Sequence, residues 1–175
     1  MKKEEIEKAV RYLSKDKNLK KIIKKSPNPD FKKGNNYFLA LVRSIIYQQL
    51  SGKAAGTIAG RFYILFKNKK PNPKDLLKLK DLDFKKVGIS GQKMGYLRDL
   101  AIKFEKGEIN SKHIHKMEDE EVREHLIAVK GIGRWTADMF LMFTLVRPNV
   151  LPTGDLGIQK GFMKAFGMKK LPDEK

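Results

Sequence analysis

Residues 126–161 read LIAVKGIGRWTADMFLMFTLVRPNVLPTGDLGIQKG. Within them, Val129-Lys130-Gly131-Ile132-Gly133-Arg134-Trp135-Thr136-Ala137 joins two apolar runs through a pair of glycines around one isoleucine. Glycine permits positive φ and lets another backbone approach where a Cβ would stand in the way. If 120–128 is one helix and 134–145 the next, Gly131-Ile132-Gly133 is a short hairpin with Ile132 plugged between the helices. Its free amides then lie at a helix N-terminus, where unpaired N–H groups and the helix dipole favour an anion. The same residues also suit an ordinary αα-hairpin closed by a glycine C-cap.

Downstream come Arg147-Pro148 and Val150-Leu151-Pro152-Thr153-Gly154-Asp155, followed by Ile158, Phe162, Ala165 and Phe166 at helical spacing. Asp155 therefore stands where a loop enters a helix. A plain N-cap accounts for an aspartate there.

Together, GIGRWTA, an apolar helix and LPTGDLGIQKGF resemble the helix-hairpin-helix DNA glycosylase superfamily, and most of all its 3-methyladenine DNA glycosylase II branch. The resemblance covers roughly residues 37–167. It implies a two-lobed, all-α bundle with the active-site cleft between the lobes, formed as a single domain over residues 1–175. The catalytic core would occupy about 37–167, preceded by N-terminal helices within 1–30. Many relatives continue into a further pocket-closing helix with a Trp-x-Pro-Tyr-Arg-type motif; the sequence stops at Lys175 without one, so the expectation is either a truncated form or a pocket without that wall.

By the same resemblance, Asp155 is the catalytic carboxylate. Gly131, Gly133, Arg134 and Thr136 grip the DNA backbone, and the carbonyls of Ile127, Val129 and Ile132 hold a monovalent cation such as Na+ or K+. Lyase members of the superfamily carry a nucleophilic lysine where this chain has Trp135. An indole cannot form a Schiff base, so the expectation is a monofunctional enzyme that leaves an abasic site. Alkylated purines such as 3-methyladenine and 7-methylguanine are cationic and stack well on an electron-rich ring. Met139 lies one turn beyond Trp135, where relatives often have an aromatic residue, and Tyr47 and Phe38 are candidates for other walls of the base pocket.

The charge fits such a partner. With 38 basic against 20 acidic residues the formal charge is +18 and the pI near 9.9, which favours polyanions through counterion release. Nucleic acid is a better match than an acidic membrane, because no basic amphipathic helix carries an aromatic face and no apolar run reaches spanning length; the resemblance implies that the partner is double-stranded DNA containing alkylated bases. Without cysteine there are no disulfides, no thiol catalysis and no cysteine-ligated iron–sulfur cluster of the endonuclease III kind. The start, MKKEEIEKAVRYL, is patterned as a charged helix and not a signal peptide. The expectation is an intracellular monomer.

Along the chain, Ile6, Val10 and Leu13 mark a first helix and residues 19–23 a second, broken by Ser26-Pro27-Asn28-Pro29-Asp30. Residues 37–49 are apolar almost all round, as in a buried helix. They run into Tyr47-Gln48-Gln49-Leu50-Ser51-Gly52, either a plain helix corner or, as the resemblance implies, a minor-groove wedge with Leu50 at its tip and Gln49 beside it. Helices follow over 54–66, 75–79 and 81–87. After Gly88-Ile89-Ser90-Gly91 comes a long amphipathic helix that carries Lys93, a candidate phosphate contact. His113 and His115 form an H-x-H pair, but no cysteine or well-spaced carboxylate completes a zinc set. A catalytically silent helix-hairpin-helix DNA-binding protein is the alternative, and it has no use for Asp155.

Overall fold

The computed structural model describes residues 3–27 and 29–173; Asn28, inside the expected break, lies outside them. Among the described residues the regular structure is helical throughout: α1 (Lys3–Leu13), α2 (Lys17–Ile23), α3 (Tyr37–Tyr47), α4 (Gly52–Ile64), α5 (Pro73–Lys78), α6 (Asp81–Val87), α7 (Gly91–Glu105), α8 (Asp119–Ile127), α9 (Arg134–Phe140) and α10 (Leu156–Phe166). Most helix starts are set by short polar side chains that satisfy the otherwise unpaired first-turn amides. Asp16 accepts from Asn18 and Leu19, Asn36 from Leu39, Asn72 from Asp75 and Ser90 from Lys93.

α3 to α9 form the larger lobe. α3 runs through its middle, with Leu41, Val42, Ile45 and Ile46 fully buried, which explains its apolar circumference. Phe62 of α4 anchors one side against Phe66 and Phe84, at centroid distances of 5.1 and 5.9 Å. Each such fully buried side chain contributes about 1.5–3 kcal/mol. α1, α2 and α10 make the smaller lobe, in which α10 packs on α2 and none of the three helices has a fully buried residue.

The expected helix over 134–145 is shorter in its regular part. α9 ends at Phe140 and widens into a π-helical turn, Leu141–Leu145, after which Val146 takes a left-handed conformation at φ +58°. A β-branched residue is costly there, and Arg147 holds the turn in place. Its amide donates to Leu141 O at 3.0 Å, and its guanidinium donates to His115 O at 3.1 Å and Met117 O at 2.7 Å. An apolar pattern looks the same in α- and π-helix, so periodicity alone does not show the widening. Its effect is to turn the chain into the loop that delivers Asp155 back to α9.

Candidate functional site

The hairpin between α8 and α9 has the expected form, and its glycines serve different purposes. Gly131 sits at φ +80°, and a Cβ there would run into the ring of Tyr96 on α7. Gly133 is the N-cap of α9 at φ −98°, with nothing within 4 Å of where a Cβ would stand and no side chain to cap the helix. Ile132 is buried between the helices, as its position in the motif leads one to expect. Thr136 is only 4% exposed, so the reachable part of this turn is Gly131, Gly133 and Arg134.

A short ion-pair chain fixes α8 against α9. Arg123 Nε donates to Asp138 at 2.7 Å, with both side chains nearly buried, and Arg123 Nη1 donates to Glu120 at 2.9 Å. Glu120 also meets the exposed Arg134 guanidinium at 3.1 and 3.4 Å. Those hydrogen bonds, Arg134 first, hold its carboxyl below the usual range.

Asp155 is the N-cap of α10: its Oδ1 accepts from the Ile158 amide at 2.8 Å. Its other oxygen is committed elsewhere. Trp135 Nε1, at the start of α9, donates to Oδ2 at 2.6 Å. The indole N–H and then the Ile158 amide hold the carboxyl below its ordinary 3.8, because both donors favour the charged form. The capping reading of Asp155 therefore accounts for one oxygen, and the Trp135 indole holds the second.

Beside this pair opens a cleft of about 1060 Å³, walled by α3, α7, the hairpin and α9. Trp135, 49% exposed, stands at its edge, and Met139 and Tyr47 line it as expected. Phe38 does not. It is 5% exposed and packs edge-on against Phe104 at 5.1 Å, so its place is the core; a buried helix face offered no way to tell core from wall. Among the wall residues that escaped the sequence reading are Arg43, Phe143 and Tyr96. Arg43 lies over the Tyr47 ring at 4.8 Å, one turn along α3.

A profile of the HhH-GPD superfamily of base excision DNA repair proteins matches residues 42–175. The chain belongs to that superfamily. It is 35% identical over 166 residues to DNA-3-methyladenine glycosylase 1 of Schizosaccharomyces pombe, spanning 90% of this chain and 71% of that protein. It is 39% identical over 142 residues to a DNA-3-methyladenine glycosylase of Saccharomyces cerevisiae, spanning 77% of this chain but only 48% of the yeast protein. The structure superposes on Mag1, the Schizosaccharomyces pombe 3-methyladenine DNA glycosylase solved in complex with abasic DNA, with a TM-score of 0.86 and 32% identity over 95% of this chain and 84% of that one. It superposes on a DNA-3-methyladenine glycosidase from Bacillus halodurans with a TM-score of 0.82 and 35% identity over 93% and 74% of the two chains.

In this HhH-GPD chain the turn Gln48-Gln49-Leu50, for which the sequence suggested a wedge, follows α3 directly. Gln49 adopts φ +55° and Leu50 is 39% exposed, so the turn projects an apolar side chain into open space. Lys93 is not free for a phosphate here. Its Nζ donates to Ile46 O at 2.7 Å and Gln48 O at 2.8 Å, closing the C-terminal end of α3. Burial lowers the Lys93 ammonium from its ordinary value, while the two carbonyls favour its charged form. Gln48, also missed as a site residue by the sequence reading, donates from Nε2 to Gly131 O at 2.8 Å across the cleft.

Proposed function

We propose that this chain is a DNA glycosylase that extrudes alkylated purines of the 3-methyladenine and 7-methylguanine kind from duplex DNA and hydrolyses their N-glycosidic bond. The observation that carries the reading is the Trp135–Asp155 hydrogen bond at the mouth of the cleft. As the C1′–N bond breaks, its electron pair leaves with the base and positive charge develops on the deoxyribose. A carboxylate kept ionised beside that carbon stabilises the charge and takes a proton from the water that adds to C1′. Trp135 supplies both an N–H that fixes the carboxylate and a π face for a cationic base. The names of the relatives in the two yeasts support the same substrate class.

The reading includes a monofunctional reaction. Among the residues that line the cleft the lone lysine is Lys93, and its amine is engaged with two carbonyls, which opposes attack on a sugar aldehyde. It also includes a monovalent cation on the carbonyls of Ile127, Val129 and Ile132. A set of backbone oxygens suits a hard ion, although Val129 O already accepts the Ile132 amide at 3.0 Å. Bound there, the ion would add positive charge where the hairpin meets a phosphate. No helix among the described residues is long and apolar enough to cross a membrane, and the partner of this reading is DNA.

The test is single-turnover release of base from methylated duplex, comparing the natural chain with Asp155→Asn. Release that collapses in the variant while DNA binding persists supports the reading. Binding without release in either protein would instead favour a catalytically silent DNA-binding module. Borohydride trapping of a covalent adduct would overturn the monofunctional part.

A further inference from the structure

Two separate loops face the cleft, the turn at Gln48–Leu50 and the hairpin at Lys130–Gly133, more than eighty positions apart in sequence. Neither is held by its own element alone. Both are fastened to one face of α7, whose residues 92, 93, 96 and 99 repeat at helical spacing. Lys93 Nζ takes the carbonyls of Ile46 and Gln48 at the base of the turn. The Tyr96 ring occupies the place a side chain on Gly131 would take, and Gln92 Nε2 donates to the Tyr96 hydroxyl at 2.8 Å. Asp99 Oδ2 accepts the Lys130 amide at 2.8 Å. The Gln48 side chain then closes the bracket by donating to Gly131 O.

From this geometry we infer that Lys93 is a positioning residue: it fixes the Leu50 turn in register with the hairpin, so that the side chain that fills the gap and the amides that hold the backbone engage the same extruded nucleotide. The inference rests on the glycosylase reading for what the two loops do. Its physical basis is independent of that reading. The last carbonyls of a helix lack intrahelical partners, and a lysine that reaches two of them from a neighbouring helix leaves the following turn few ways to move. In α3 the following turn contains a non-glycine residue at positive φ, Gln49, a conformation that persists only where the surroundings hold it.

The experiment is a double-mutant cycle read by binding. Affinity is measured for a duplex with an abasic-site analogue, for the same duplex undamaged and for the single strand, using the natural chain, Lys93→Met, Leu50→Ala and the double variant. A 2-aminopurine opposite the gap reports its filling by fluorescence. Lys93→Met is expected to weaken abasic-duplex binding about tenfold, or about 1.4 kcal/mol, with little change for the single strand and the fluorescence signal lowered to the Leu50→Ala level. In the double variant the two losses should not multiply, because a wedge that is no longer held has little left to lose. Lys93→Arg, which keeps donors at this place, should restore part of the signal. If Lys93→Met does not fold, Gln48→Ala cuts the same bracket from its exposed side and is expected to couple to Leu50 in the same way.

Losses that multiply would overturn the inference. So would equal weakening on duplex and single strand, which marks a direct phosphate contact. A chain that shows the coupling yet releases no base loses only the glycosylase reading, and one that releases base with independent losses loses only the bracket.

Discussion

Trp135 Nε1 and Asp155 Oδ2 are 2.6 Å apart, which joins the first turn of α9 to the first turn of α10 and so ties the larger lobe to the smaller one across the rim of the cleft. The bond has a titration consequence. Because the indole N–H is the largest cause of the lowered Asp155 carboxyl, Trp135→Phe should raise it toward its ordinary 3.8. The sign follows from the charge: the donor favours the ionised form, so its loss makes protonation easier. The stabilisation from this bond is present above the unfolded value and disappears as pH falls through the folded one. A carboxyl-carbon NMR titration of Asp155 in the two proteins checks this, and an unchanged midpoint would mean that the bond is not maintained in solution.

The two hairpin glycines should separate stability from binding. Gly131→Ala places a methyl group against the Tyr96 ring and gives a non-glycine residue a φ of +80°. A loss of about 1–3 kcal/mol is expected in denaturant unfolding, from strain and overpacking together. Gly133→Ala meets nothing inside the chain and should unfold at nearly the natural denaturant concentration while binding duplex DNA more weakly, because the new methyl group stands where a phosphate would approach. Equal stability losses in the two variants would remove this division of roles.

Arg123 holds Asp138, and both side chains are close to buried. Arg123→Met would leave a carboxylate inside the α8–α9 pair without its cation, which costs about 3–5 kcal/mol when a buried pair is broken from one side. Arg123→Met with Asp138→Leu removes both charges and should recover much of that loss. Urea unfolding of the two variants measures the difference, and a double variant no more stable than the single one would place the cost elsewhere.

What could be read from the sequence was the part written in local patterns. The turn at Ser90 that opens α7, the buried circumference of α3 and the plug at Ile132 all depend on neighbours a few residues away. So did the loop-to-helix position of Asp155. The contacts that make the site are of another kind. Gln48 to Gly131, Lys93 to Ile46 and Trp135 to Asp155 join residues far apart in the chain, and no periodicity encodes them. Lys93 read as a phosphate contact because a lysine in a basic chain has no mark to show that its amine is already engaged. Phe38 read as a wall for a related reason: a helix apolar all round does not announce which of its faces meets solvent.

The stacking role of Trp135 can be set against that of Tyr47 by counting π faces. The Arg43 guanidinium lies over the Tyr47 ring at 4.8 Å, so one face of that ring already holds a cation, and a positively charged base at that end of the cleft would meet a like charge. Among the described residues no cation lies over Trp135, which is half exposed. A cation on an open indole gains about 0.5–2 kcal/mol beyond what a neutral ring of the same shape gains. Trp135→Ala should therefore slow release of 7-methylguanine more than that of neutral hypoxanthine, whereas Tyr47→Ala should affect the two alike. Single-turnover rates on the two lesions in otherwise identical duplexes decide the matter. If Tyr47→Ala proved the more selective against the cationic base, Arg43 would have to swing away when DNA binds, and the free face of Tyr47 would become the platform in place of Trp135.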